Sequence, residues 1–131
     1  MYIKNPKKIE NNSMDIIAPY LSDVDFKEEE LPIVKRMIHT TGDVDYRHII
    51  EFQNDFVERA TLAMKKGGKI YADTNMIAAG VNKPALEKAN LEVFTCVSDE
   101  DVRKIAKEQE ITRSMAAVDK AIKDGVTMFA V

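Results

Sequence analysis

Two histidines, one cysteine and a set of arginines and carboxylates are the residues of this 131-residue chain that can do chemistry. His39 stands in Arg36-Met37-Ile38-His39-Thr40-Thr41-Gly42-Asp43. That stretch reads as the last turn of a helix, with Gly42 as its stop. At 100° per residue His39 falls about 140° from the centre of the Leu31/Val34/Ile38/Thr41 stripe, so it is not a core histidine. Two readings remain. In one, it complements the negative end of the helix dipole, worth about 0.3–1 kcal/mol. In the other, the same field supports a protonated imidazole, the form a general acid needs. His48 follows Tyr46-Arg47 in a polar stretch and reads as surface. The two histidines lack HExxH-like spacing, so a catalytic zinc is not expected.

Asp73, Thr74 and Asn75 lie just past an apolar run, Lys69–Asp73, that reads as a strand. Polar residues there face a ligand in many α/β proteins. Asp73 or Thr74 equally reads as the N-cap of a short helix, Met76–Ala79, stopped by Gly80. Arg113 opens a helix in Ile111-Thr112-Arg113-Ser114, where the dipole slightly disfavours it. With the N–H groups of a helix N-terminus it makes a carboxylate or phosphate site; otherwise it is a solvated arginine. Cys96, in the apolar Leu91–Val97 run, reads as core rather than nucleophile.

These residues need elements to position them. Pro6–Leu21 carries Ile9, Met14, Ile16, Ile17 and Leu21 in a loose helical pattern weakened by Pro19. A second helix places Asp25–Glu30 in its first turn and Leu31, Val34, Met37, Ile38 and Thr41 on one face. A third runs from Asn54 to Lys66 and ends at Gly67-Gly68. Then the period changes. Strands over 69–73, 91–97 and 126–131 alternate with helices over 99–109 and 112–123. That order predicts an α/β fold with a largely parallel sheet flanked by helices, in one domain over residues 1–131.

Composition sets the frame. A net charge of −3 excludes a global nucleic-acid footprint. No apolar run reaches the roughly 20 residues that span a bilayer, so no membrane partner is expected. The basic N-terminus lacks an apolar core and is not a secretory signal. A single cysteine forms no internal disulfide, and a reducing cytoplasm is the simplest setting.

In order, the chain carries Arg36–Asp43, Asn54-Asp55-Phe56-Val57, Gly68–Val81 (GKIYADTNMIAAGV) and Thr112-Arg113-Ser114-Met115-Ala116. Together these resemble the precorrin-8X methylmutase family. The resemblance implies an isomerase of cobalamin biosynthesis that moves a methyl group from carbon 11 to carbon 12 of the corrin-type ring. The product is hydrogenobyrinate, or cobyrinate when cobalt is already within the substrate. No nucleotide, flavin, redox cofactor or protein metal is implied. His39 matches the family's catalytic histidine, which protonates the macrocycle. Arg113 matches an arginine of the family's Thr-Arg-Ser segment and is expected at the tetrapyrrole substrate, with Ser13, Asp73, Thr74 and Met76 as further contacts. A homodimer is implied.

Family members continue past the Val126–Val131 strand with a Gly-Asn-Ala-Pro-Thr-like segment, further helices and strands. The chain is therefore expected to be the N-terminal portion of a methylmutase domain, truncated after a C-terminal strand. Missing strands would expose an apolar edge that favours aggregation or oligomerisation. Besides an isomerase, two alternatives stand: a corrinoid-binding module without turnover, and an inactive fragment.

Overall fold

The computed structural model describes residues 4–131. Where the sequence reading gives one domain, the described residues gather into two compact units, one running through Val57 and the other spanning Glu58–Val131. Each has its own apolar core.

In the first unit, α1 spans Pro6–Ile17 and continues as a 3-10 turn, Ala18–Leu21. Asn5 caps α1 by accepting from the Lys8 N–H at 3.0 Å, ahead of a proline that needs no donor. The α-helix expected through Leu21 stops at Ile17 because Pro19 has no N–H to continue the ladder. α2 spans Leu31–Thr41. Its start corrects the sequence reading: Asp25–Glu30 precedes the helix, and Pro32 occupies the first turn instead. The Glu30 carboxylate accepts from the Lys27 N–H at 2.9 Å, a turn closed before the helix begins. Buried Ile17, Leu21, Val34 and Ile38 form the core, with Phe26, Tyr46 and Phe52 packed around them. Met37 and Thr41, expected on the buried face, are exposed. Arg47, in a 3-10 turn over Val44–His48, grips both Asp23 carboxylate oxygens at 3.0 and 3.1 Å.

The third helix, expected from Asn54, begins two residues later. Asn54 and Asp55 adopt positive φ, 54° and 52°, so α3 spans Phe56–Lys65. In the second unit follow β1 (Gly68–Ala72), α4 (Asn75–Gly80), α5 (Lys83–Lys88), β2 (Leu91–Phe94), α6 (Glu100–Glu108), α7 (Arg113–Lys123) and β3 (Met128–Ala130). The three strands form a parallel sheet in the order β2-β1-β3, with Ile70 opposite both Val93 and Met128. Parallel neighbours need crossovers, which is what the intervening helices supply. Gly67, at φ 72°, enters β1 where a Cβ would stand 3.0 Å from the Asn90 carbonyl oxygen. No other residue makes that approach without strain.

The core of this unit is Tyr71, Cys96, Val102, Ala106, Ala116, Ala117 and Ala121. Three of the seven are alanines on α7, and their size brings the helix close to its neighbours: the Cys96 thiol donates to the Ala117 carbonyl at 3.6 Å. Cys96 is thus the core residue the sequence suggests. Among the described residues no helix is long and apolar enough to cross a membrane. Because Ala117 is fully buried at this approach, Ala117→Leu is expected to cost about 1–3 kcal/mol by overpacking. Urea unfolding followed by circular dichroism measures it; an unchanged midpoint would contradict the close packing.

Candidate functional site

His39 lies in the last turn of α2, on its exposed side. The residues after it build the helix end. Gly42 takes a left-handed conformation, φ 71°, and its N–H donates to the Ile38 carbonyl at 2.8 Å. Thr40 and Thr41 fold their hydroxyls back onto the Arg36 and Met37 carbonyls, at 2.8 and 3.0 Å. The Asp43 N–H then donates to the Thr41 hydroxyl at 3.3 Å, fixing the exit of the chain. His39 therefore projects from a turn held by its own glycine and threonine hydrogen bonds.

One turn before His39, Arg36 forms an ion pair with Glu10 of α1. The Arg36 hydrogen bond and charge hold the Glu10 carboxyl below its usual range, and the charge of His39 adds a smaller pull in the same direction. Ser13 stands one turn after Glu10, where side chains three apart are neighbours. Its hydroxyl donates to the Ile9 carbonyl at 3.0 Å and keeps its lone pairs available as acceptors. Ser13, Glu10, Arg36 and His39 thus belong to the α1–α2 pair of the first unit. His48 is half-exposed and lies 3.9 Å from Asp23, the surface role the sequence suggests.

In the second unit, Asp73, Thr74, Asn75 and Met76 follow β1 directly, at the carboxyl end of the parallel sheet. The Asp73 N–H donates to the Ala130 carbonyl at 2.9 Å, which extends the β1–β3 pairing by one residue. Its Oδ1 is buried without a hydrogen-bond partner among the described residues. Thr74 is the N-cap of α4: its hydroxyl accepts from the Ile77 N–H at 3.1 Å. The Asn75 amide donates to the Ser98 hydroxyl at 3.2 Å, tying the β1 and β2 exits together. Met76 projects into solvent, 82% exposed.

Arg113 is exposed at the first position of α7, behind the Thr112 cap, and makes no ion pair among the described residues. It sits beside the C-terminal end of α6, where the Ile111 N–H donates to the Ala106 carbonyl at 3.0 Å. The N-terminal end of α6 is bound by Lys120 instead, 2.6 Å from Asp101 and 3.3 Å from Asp99. α6, nine residues and so about 13 Å long, therefore separates the end that Arg113 adjoins from the end that follows Ser98. A shallow depression of about 590 Å³ at that N-terminal end is lined by Asp99, Glu100, Asp101 and Lys104. Its net negative lining suits no anion.

A family model described as precorrin-8X methylmutase matches residues 8–131. The chain belongs to the precorrin-8X methylmutase family. It is 39% identical over 128 residues to the cobalt-precorrin-8 methylmutase of Salmonella typhimurium (strain LT2), covering 94% of this chain and 61% of that protein. It is 34% identical over 119 residues to the protein of the same name from Priestia megaterium, covering 91% and 53%. A solved precorrin-8X methylmutase from Thermus thermophilus superposes with a TM-score of 0.79 at 33% identity, over 91% of this chain and 57% of that one. The chain thus spans between half and two thirds of the length of these relatives, and its helix-flanked parallel sheet is theirs.

For this methylmutase-family chain the sequence reading named Asp73, Thr74 and Met76 together, and they lie within four residues at the carboxyl end of β1. It also named Ser13 and His39, which fall on the α1–α2 pair. It missed Glu10 and Ser98, whose links cross 26 and 23 residues of chain, and periodicity carries no signal at that range. It quoted Arg36 and Tyr71 within motifs without a role; the phenol in an otherwise apolar strand was the available clue.

Because the Glu10 carboxyl is depressed in the folded chain, its pairing with Arg36 stabilises above the ordinary carboxyl value of 4.5 and is lost as pH falls through the lowered one. Glu10→Gln is therefore expected to lower stability slightly at pH 7 and to match the parent near pH 2. Urea midpoints at the two pH values test this; an equal difference at both would contradict it.

Proposed function

We propose that this chain is the histidine-bearing part of a cobalamin-pathway isomerase that moves a methyl group from carbon 11 to carbon 12 of precorrin-8X or its cobalt form. The observation that carries the reading is the family match through residues 8–131, together with an exposed His39 on a rigid helix end. His39 donates a proton to the macrocycle, which weakens the bond to the migrating methyl. It recovers that proton once the methyl is attached at the neighbouring carbon. Substrate and product are isomers, so no electrons, water or group donor enter the balance, and the step calls for no nucleotide, flavin or protein-bound metal. Cobalt, where present, belongs to the substrate.

The other residues divide by chemistry. Arg113, without an ion pair of its own, meets a substrate carboxylate together with the N–H groups that open α7. Met76 offers an apolar, polarisable contact for the ring. Ser13 and Thr74 offer hydroxyl oxygens. Asp73 shares the sign of the substrate's carboxylates, so it accepts from a donor instead. The working form in this reading is a cytoplasmic homodimer, and exposed Leu62 and Met64 give a second copy apolar surface.

A second reading is a corrinoid-binding module without turnover. It is supported by the share of the relatives' length that the chain covers, 53–61% in the two named above, and by the distance of Arg113 from the Asp73–Met76 corner.

Incubating the chain with precorrin-8X and following the conversion by absorption separates the two readings. The isomerase reading expects hydrogenobyrinate, with His39→Asn slowing its appearance by about 10²–10⁴-fold. An undiminished rate in His39→Asn would remove the acid assignment, and binding without conversion by the parent chain would favour the module. Arg113→Ala is expected to weaken binding by about tenfold, the loss of a charge-assisted hydrogen bond, with the fold intact. Unchanged affinity would dismiss that contact.

A further inference from the structure

Two buried polar atoms at the carboxyl end of β1 have no hydrogen-bond partner among the described residues: the Tyr71 hydroxyl and Asp73 Oδ1. They stand two residues apart, on the same face of an extended chain. Tyr71 is fully buried, with its ring edge-on to Phe94 at 5.8 Å and tilted against Phe129 at 5.8 Å. Those rings leave the phenol no rotation that reaches solvent. Burial pushes the Tyr71 hydroxyl above its usual range, and the charge of Asp73 adds to the push. The Thr95 hydroxyl is close enough to offset part of it, although its oxygen is engaged with the Val97 N–H at 3.4 Å.

Left unpaired, each of these atoms would carry the full desolvation penalty of a buried polar group. A phenol that can donate, a carboxylate oxygen that can accept and a nearby hydroxyl are the three partners a buried water typically takes. Asp73 as a whole is only half-buried, and its Oδ2 is not among the buried unpaired atoms of the described residues.

We propose that Tyr71 is a positioning residue: through one shared buried water its hydroxyl holds the inward oxygen of Asp73 and turns the outward oxygen to a hydrogen-bond donor on the ligand. The ligand side of this inference rests on the corrinoid reading above; the Tyr71–Asp73 link does not. Tyr71 touches no ligand itself. It fixes one end of the Asp73–Met76 segment, as the Asn75–Ser98 hydrogen bond fixes the middle.

The test is a double-mutant cycle of Tyr71→Phe and Asp73→Asn, read in two ways. Urea unfolding of the ligand-free chain reports the link itself. The two substitutions should be non-additive, the second costing less than half as much once the first is present, and additive costs would overturn the proposal. Absorption titration with hydrogenobyrinic acid reports the positioning. Tyr71→Phe should weaken binding several-fold, Asp73→Asn by a similar factor, and the pair no further. Full affinity in Tyr71→Phe beside weakened Asp73→Asn would overturn the positioning role. Failure of the unaltered chain to bind hydrogenobyrinic acid would count against the corrinoid reading, and the unfolding cycle would still decide the link.

Discussion

The backbone of β1 is hydrogen-bonded along both of its edges, to β2 on one side and β3 on the other, and the second unit depends on that. A central parallel strand cannot turn back on its neighbours through a hairpin. Each partner has to return by a crossover, so α4–α5 and α6–α7 are demanded by the pairing before any side chain is considered. The glycine entry at Gly67 and the Asp73 N–H at the exit bracket the strand. Between them, Tyr71 fills the space under α6 and α7, and alanines on α7 admit its bulk.

Much of this was legible in the sequence, for reasons specific to each element. The three strands were found because apolar, β-branched runs between glycines and asparagines leave few alternatives, although β2 and β3 are shorter than their apolar runs and β1 is shifted by one residue. Pairing ends where the neighbour strand ends, which is a property of the register and not of the segment. Thr74, one of the two N-cap candidates with Asp73, and Thr112, where the last helix was read to begin, both prove to be caps, since a capping hydroxyl acts within three residues. The start of α2 was misplaced because an acidic run suits a first turn, whereas Pro32 and the closed turn at Lys27–Glu30 decided the matter. α5 was not foreseen. Its six residues hold no buried side chain, so burial periodicity, the usual signal, was absent.

The candidate site was legible as residues and only partly as an arrangement. His39 was placed off the apolar stripe from helical geometry alone, and it is exposed. Arg113 was grouped with Asp73–Met76 by the family resemblance, and the α6–α7 hairpin turns it toward the opposite end of α6 from Ser98. A hairpin reverses direction in a few residues, and no local pattern records which end of the first helix the second will begin beside. The long-range pairs, Glu10 with Arg36 and Asn75 with Ser98, exist only once the elements have packed.

The turn that closes α2 has a further consequence. It is made from a left-handed glycine and two threonine hydroxyls, none of which gains or loses a proton in the range where proteins work. Ions in solution have little purchase on such neutral contacts. In the acid role proposed for His39, its mount would keep its shape while the imidazole exchanged its proton. A side chain that delivers a proton, takes it back and is found in the same place for the next molecule needs a support indifferent to that traffic.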